Sequence, residues 1–142
     1  MTSNTTTDIQ MQIWTQAFAD KSENSFADAF TDNVTFEASV FVRPLIKRDC
    51  VKSVMATASK VYEALTFTHQ VKSAQQTYLE WNASAFGGQP LSGVTILIKN
   101  PDGLIVHLAI HHRPLGAVLC FSSEMPECLK GKIKPDYFYE RK

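Results

Sequence analysis

Charge of one sign, cysteine and long apolar runs are all in short supply in these 142 residues. Fourteen Lys and Arg balance fourteen Asp and Glu. Binding nucleic acid by charge needs a basic face to displace counterions, so that class is set aside. Cys50, Cys120 and Cys128 are odd in number and form no Cys-x-x-Cys pair, which removes a disulfide framework and a zinc ribbon. No apolar run approaches the length of a bilayer span, and no low-complexity block suggests disorder. The opening "MTSNTTTDIQ" lacks the basic and apolar regions of a secretion signal. The expectation is one domain over residues 1–142 in a reducing cytoplasm. Residues 1–7 are expected to be flexible and 126–142 to form a C-terminal tail.

What is present falls into two halves. Thr7-Asp8-Ile9-Gln10 has the form of a capping box, and Ile9, Ile13, Trp14, Ala17 and Phe18 follow on one helical face. "SFADAF" reads as a short second helix and "NVTFEASVFV" as extended as far as Pro44. Asp49 is the expected N-cap of a third helix, with Val51, Val54, Met55, Ala58, Val61, Tyr62 and Leu65 at helical spacing. From there to about Phe121 the chain reads as strands, broken by "QQ", "GGQP" and "NPDG". In "NPDG", Pro101 fixes φ and Gly103 accepts a left-handed conformation, a hairpin signal. Helices first and an antiparallel meander after them give an α+β fold, with the helices on one face of the sheet.

"LIVHLAIHHRPLG" gathers three of the four histidines. On a helix, His107 and His111 would share a face at the spacing of a zinc site. Placed after a hairpin turn and before Pro114, the stretch is a strand, which holds them roughly 13 Å apart. No shared metal is expected. Pairing Lys99 with Leu104 puts Gly93, Thr95 and Leu97 on one face with Val106, Leu108, Ile110 and His112. Val94, Ile96, Ile98, Ile105, His107, Ala109 and His111 then share the other. Setting Phe86 opposite Leu91 adds Tyr78, Glu80, Asn82, Ser84 and Phe86 to the His112 side and Trp81 to the His107 side. A one-residue slip in that glycine-rich loop exchanges them. Both faces are apolar, so the face away from the helices needs a cover. A homodimer through the sheet is one solution, and the C-terminal "KPDYFYERK" folding back is the other.

The stretches "WTQAFADKSENSFADAFTDNVTFEA", "RPLIKRDCV" and "LEWNASAFGGQPLSGVTILIKNPDGLIVHLAIHHRPLGA" occur in an order that resembles the nuclear transport factor 2-like superfamily. It includes SnoaL-like polyketide cyclases, ketosteroid isomerases and limonene epoxide hydrolases, and the resemblance covers most of residues 9–125. It implies a cystatin-like α+β barrel: a cone-shaped, curved antiparallel sheet wrapped around the N-terminal helices, with a pocket at the open end. The ketosteroid isomerase machinery does not carry over. Its catalytic base falls at Ala38, its oxyanion tyrosine near Phe18 and its protonated aspartic acid at Thr95. An Arg-x-Asp signature of the epoxide hydrolases is absent as well.

Two function classes remain. In the first, the chain is a cofactor-independent acid/base enzyme that isomerises, cyclises or hydrates a hydrophobic polyketide- or terpenoid-like molecule. His112, His69 and Glu80 are the candidates for proton exchange. Asn82, Arg43 and Thr95 are the polar binding candidates, and Trp14, Phe18, Tyr62, Tyr78 and Phe86 the pocket lining. In the second, it is a noncatalytic binding or scaffold protein, with Trp14, Phe18, Phe30, Phe36, Tyr62 and Phe86 as core and Arg43 and Arg113 in salt bridges. Cys50 and Cys120 read as buried fillers. Titratable groups around one cavity favour the enzyme, and a cavity filled by aromatic rings favours the alternative.

Overall fold

The computed structural model describes residues 14–139. The expected capping box at Thr7–Gln10, Ile9, Ile13 and the expected flexible 1–7 segment lie outside them. Residues 14–20 are helical (α1), with Trp14 and Ala17 buried on one face. Helix α2 (Glu23–Ala27) is capped by Ser22, whose Oγ accepts from the Ser25 N–H at 3.2 Å. Strands β1 (Phe30–Ala38) and β2 (Leu45–Ile46) precede helix α3 (Arg48–Val61). Val51, Val54, Met55 and Ala58 of α3 are buried at the expected spacing. Asp49 sits in its first turn and Lys47, at φ 85°, takes the N-cap place. A carboxylate there still favours the positive helix end.

Strands β3 (Tyr62–Ser73), β4 (Gln76–Ala85), β5 (Gln89–Lys99) and β6 (Ile105–Arg113) form the expected meander. The six-stranded sheet is curved and unclosed, in the order β2-β1-β6-β5-β4-β3. β1 runs parallel to β6; every other pair is antiparallel. Tyr62 and Leu65 belong to β3 rather than to the helix. A register shift between Tyr62 and Ala64 sets these two residues, three apart, on one face of a strand, imitating helical spacing.

The second correction lies at the other end. β6 stops at Arg113, and Leu115–Cys128 is a helix, α4, with Pro114 at its N-cap. "GAVLCFSSEM" is rich in strand formers, yet Ala117, Val118, Phe121, Ser122 and Met125 line up on one helical face and are buried. The expected tail is therefore partly helix. Its remainder is anchored: Leu129, Ile133 and Phe138 are buried, Phe138 bridges Phe41, and the Val42 N–H donates to the Tyr137 carbonyl at 2.7 Å. The described tail thus packs on residues 40–42 and α4, leaving the outer sheet face uncovered by it. Among the described residues no helix is long and apolar enough to cross a membrane.

Candidate aromatic site around His112

Strand register decides which side chains meet inside. β5 and β6 pair Gly93 with His112, Thr95 with Ile110 and Leu97 with Leu108. That is two residues from the expected pairing, an even shift, so the predicted faces hold. A bulge between Ile98 and Lys99 turns Ile105 inward, where it is buried, in place of Val106. Between β4 and β5, Ala85 pairs with Gln89 and Trp81 with Gly93. The loop is three residues, Phe86–Gly88, all at positive φ, one fewer than expected. This odd shift brings Trp81 inside and sends Tyr78, Glu80 and Asn82 outside.

His112, Trp81, Tyr62 and Phe121 form the inner cluster. The His112 ring stands edge-on to Trp81 at 5.6 Å and tilted to Phe121 at 5.7 Å. Tyr62 touches both Trp81 and Phe121, each at 5.7 Å. Phe86 packs on Phe121 at 5.8 Å. The Trp81 Nε1–H donates to Thr95 Oγ1 at 3.0 Å, and its indole lies over Gly93, where a Cβ would come within 2.7 Å of Cζ2. The His112 backbone N–H donates to Ser39 Oγ at 2.9 Å, while ring Nδ1 is enclosed with no hydrogen-bond partner among the described residues. Burial, with a smaller push from His111, draws the imidazole down to about 4, so it is neutral at pH 7. Burial also raises the Tyr62 hydroxyl above its ordinary range.

Two cavities adjoin this cluster. The inner one, about 10 Å³, is lined by Phe18, Tyr62, Leu65, Phe67, Trp81, Thr95 and Ile110. The outer one, about 240 Å³, is an open groove that shares Phe18, Tyr62, Leu65 and Phe67 with the first and adds Lys21, Ser59 and Glu63. Ala38 pairs with Ile110 and Ile110 with Thr95. Two of the three positions matched to ketosteroid isomerase groups, Ala38 and Thr95, therefore lie in one row across the sheet, and the third, Phe18, lines the same cavity as Thr95. None of the three carries an ionisable side chain.

The other candidates are dispersed. His69 and Glu80 pair with each other at 3.0 Å on the outer face, with side chains 74% and 49% exposed. They do not join His112. Asn82 is exposed opposite Ser92, and Tyr78 donates to Gln76 Oε1 at 2.5 Å, both on that outer face. Arg43 is engaged by Asp136 at 3.1 Å and stacks over Tyr137 at 4.1 Å, the salt-bridge role. Trp14, Phe30 and Phe36 are core. Cys50 and Cys120 are only partly buried. Trp81 and Phe121 are the residues of the aromatic cluster that sequence reasoning missed. A three-residue loop and the helical period of "GAVLCFSSEM" were the signals for them. Among the described residues no three His, Cys, Asp or Glu side chains converge as a metal site.

No family model and no curated protein matches the chain. Solved structures do match. An uncharacterised bacterial protein with a cystatin-like fold from Silicibacter pomeroyi superposes with TM-score 0.80 at 18% identity, covering 86% of each chain. A steroid delta-isomerase from Pseudomonas aeruginosa gives 0.78 at 21% identity, over 86% of this chain and 90% of that one. An NTF2-like protein of unknown function from Mesorhizobium loti gives 0.67 at 12% identity, over 76% and 91%. At these identities the likeness is one of fold, and it is the fold that the resemblance implied.

Proposed function

We propose that this chain binds a hydrophobic small molecule in the groove between α1 and β3, and that a polar group of the ligand reaches past Trp81 to His112, which packs on Trp81 and lines neither cavity. The carrying observation is the enclosed Nδ1 of a neutral imidazole, set among aromatic rings and without a hydrogen-bond partner among the described residues. A buried polar atom without a partner costs about 1–3 kcal/mol, which a ligand hydroxyl would recover. The inner void holds at most a water. The ligand body therefore rests on Phe18, Tyr62, Leu65 and Phe67, and reaches inward by turning Phe18 and Phe67 aside. Binding is favoured over the acid/base enzyme because His69 and Glu80 face outward, His112 is an imidazole of low basicity, and Glu63 of the groove is engaged by the Gly87 and Gly88 N–H groups. The catalytic reading keeps two supports: that same imidazole is deprotonated at neutral pH, and a fold neighbour is a steroid delta-isomerase.

The test compares 2-naphthol with naphthalene by tryptophan quenching and calorimetry. Saturable binding of both is expected, with the hydroxylated ring roughly tenfold tighter and the advantage lost in His112→Phe. Equal affinities would remove His112 from the site, and an absence of saturable binding would remove the site. If a substrate is recovered, full turnover by His112→Ala would end the catalytic reading. As partner we propose a second copy of the chain, packed through the outer sheet face.

A further inference from the structure

The groove between α1 and β3 also carries charge, and most of that charge is already engaged. Lys21, Ser59 and Glu63 are among its lining residues. Ser59 Oγ donates to the Ala56 carbonyl at 2.6 Å. Both carboxylate oxygens of Glu63 accept from backbone, from the Gly87 and Gly88 N–H groups. The acids that flank Lys21 in sequence are taken as well: Asp20 accepts from Gln16 and Ser25, and Glu23 pairs with Lys132 at 2.9 Å. Lys21 itself is exposed and forms no ion pair among the described residues. Its flexible four-carbon stem leaves the ammonium able to reach a ligand seated in the groove.

The backbone supplies a second, independent observation. Lys21 closes α1 in the left-handed region, at φ 54°, with its N–H donating to the Ala17 carbonyl at 3.0 Å. Glycine ends helices in this conformation without strain, whereas lysine adopts it at a cost. Strained residues other than glycine collect at ligand clamps, and here the strained residue is the cation that lines the groove.

We propose that Lys21 selects for a carboxylate, so that the molecule held in the groove is an amphipathic organic acid. Its apolar body lies on Phe18, Tyr62, Leu65 and Phe67, and its anionic end meets Lys21. This deepens the groove assignment on which it rests by naming the charge of the ligand. The ammonium donates to the carboxylate oxygens at the solvent-facing end, where neither ion has to be stripped of water. Such a contact adds a modest factor in affinity, and it discriminates between neutral and anionic molecules of one shape.

2-Naphthoate and 2-naphthamide share a shape and differ in charge, so the ratio of their affinities at pH 7, read by calorimetry, isolates the anion. Wild type is expected to hold the naphthoate roughly threefold to fivefold tighter at low salt. The ratio should fall toward one in about 0.5 M sodium chloride. Lys21→Gln should abolish the preference and Lys21→Arg should keep it. Lys60→Gln removes an exposed lysine outside the groove and should leave the preference in place. Equal affinities in wild type overturn the proposal, the result expected of a lysine that only complements the carbonyl end of α1. A preference that survives Lys21→Gln overturns it too. In either case saturable binding of the naphthamide leaves the groove standing; if neither compound saturates, the groove falls and the proposal with it.

Discussion

At the scale of single residues, His112 carries a cost that pH exposes. Its folded form titrates at about 4 against an ordinary 6.5, so the unfolded chain binds more protons throughout that interval. Stability from this group is complete above 6.5 and falls as pH drops toward 4, by about 3 kcal/mol in total. Urea unfolding of wild type and His112→Phe at pH 7 and pH 4 should diverge by that amount; parallel losses would mean the ring is not desolvated as described. Gly93 makes the neighbouring demand. A Cβ there would lie 2.3 Å from the His111 carbonyl oxygen as well as against Trp81. Gly93→Ala should therefore cost upwards of about 3 kcal/mol, through forced displacement of backbone or indole. A melting temperature within a degree or two of wild type, about the shift expected from under 1 kcal/mol, would contradict it.

Between elements, the site depends on the loop that joins β4 to β5. Phe86, Gly87 and Gly88 adopt φ of 55°, 75° and 95° in succession. Glycine takes such angles freely, whereas Phe86 takes them at a cost of about 1 kcal/mol or more. Glu63 holds the loop by accepting from the Gly87 and Gly88 N–H groups at 2.7 and 2.8 Å. It thereby fixes Phe86 against Phe121. Glu63→Ala should accelerate amide exchange at Gly87 and Gly88 and destabilise by about 1 kcal/mol, a small sum because the bonds face solvent. Unchanged exchange would show the loop holding itself. This loop also marks where sequence reading failed. "GGQP" signals a turn by composition, but composition does not fix its length, and one residue decides whether Trp81 or Glu80 faces the core. "NPDG" was easier: Asn100 Oδ1 accepts from the Asp102 and Leu104 N–H groups, and the resulting error was even, so the faces survived. Helix α4 was hidden because Val118, Leu119, Cys120 and Phe121 read as a strand until their four-residue period is extended to Met125.

At the scale of the molecule, element order and side-chain alternation were enough to specify an α+β sheet wrapped on helices, since both depend on local periodicity. The site was less legible because it is assembled across strands, where parity errors accumulate. Only His112, Thr95, Phe18, Tyr62 and Phe86 of the predicted set meet there. What the whole sheet leaves open is its outer face. Val94, Ile96 and Ile98 run along central β5, with Tyr78 and Ala109 beside Ile96 in the adjacent strands. Around this stripe lie Glu80, His69, His107 and His111. A two-fold axis along β5 would lay β4 of one copy over β6 of the other, bringing Glu80 opposite His111, so that polar rims of complementary character surround a shared apolar centre. Charge at the centre should break this without harming the fold, because Ile96 contributes to no inner packing. Light scattering is expected to give a dimer for wild type and a monomer for Ile96→Lys with unchanged circular dichroism. Wild type running as a monomer at high concentration would assign the stripe to some other cover, and a dimeric Ile96→Lys would move the interface elsewhere.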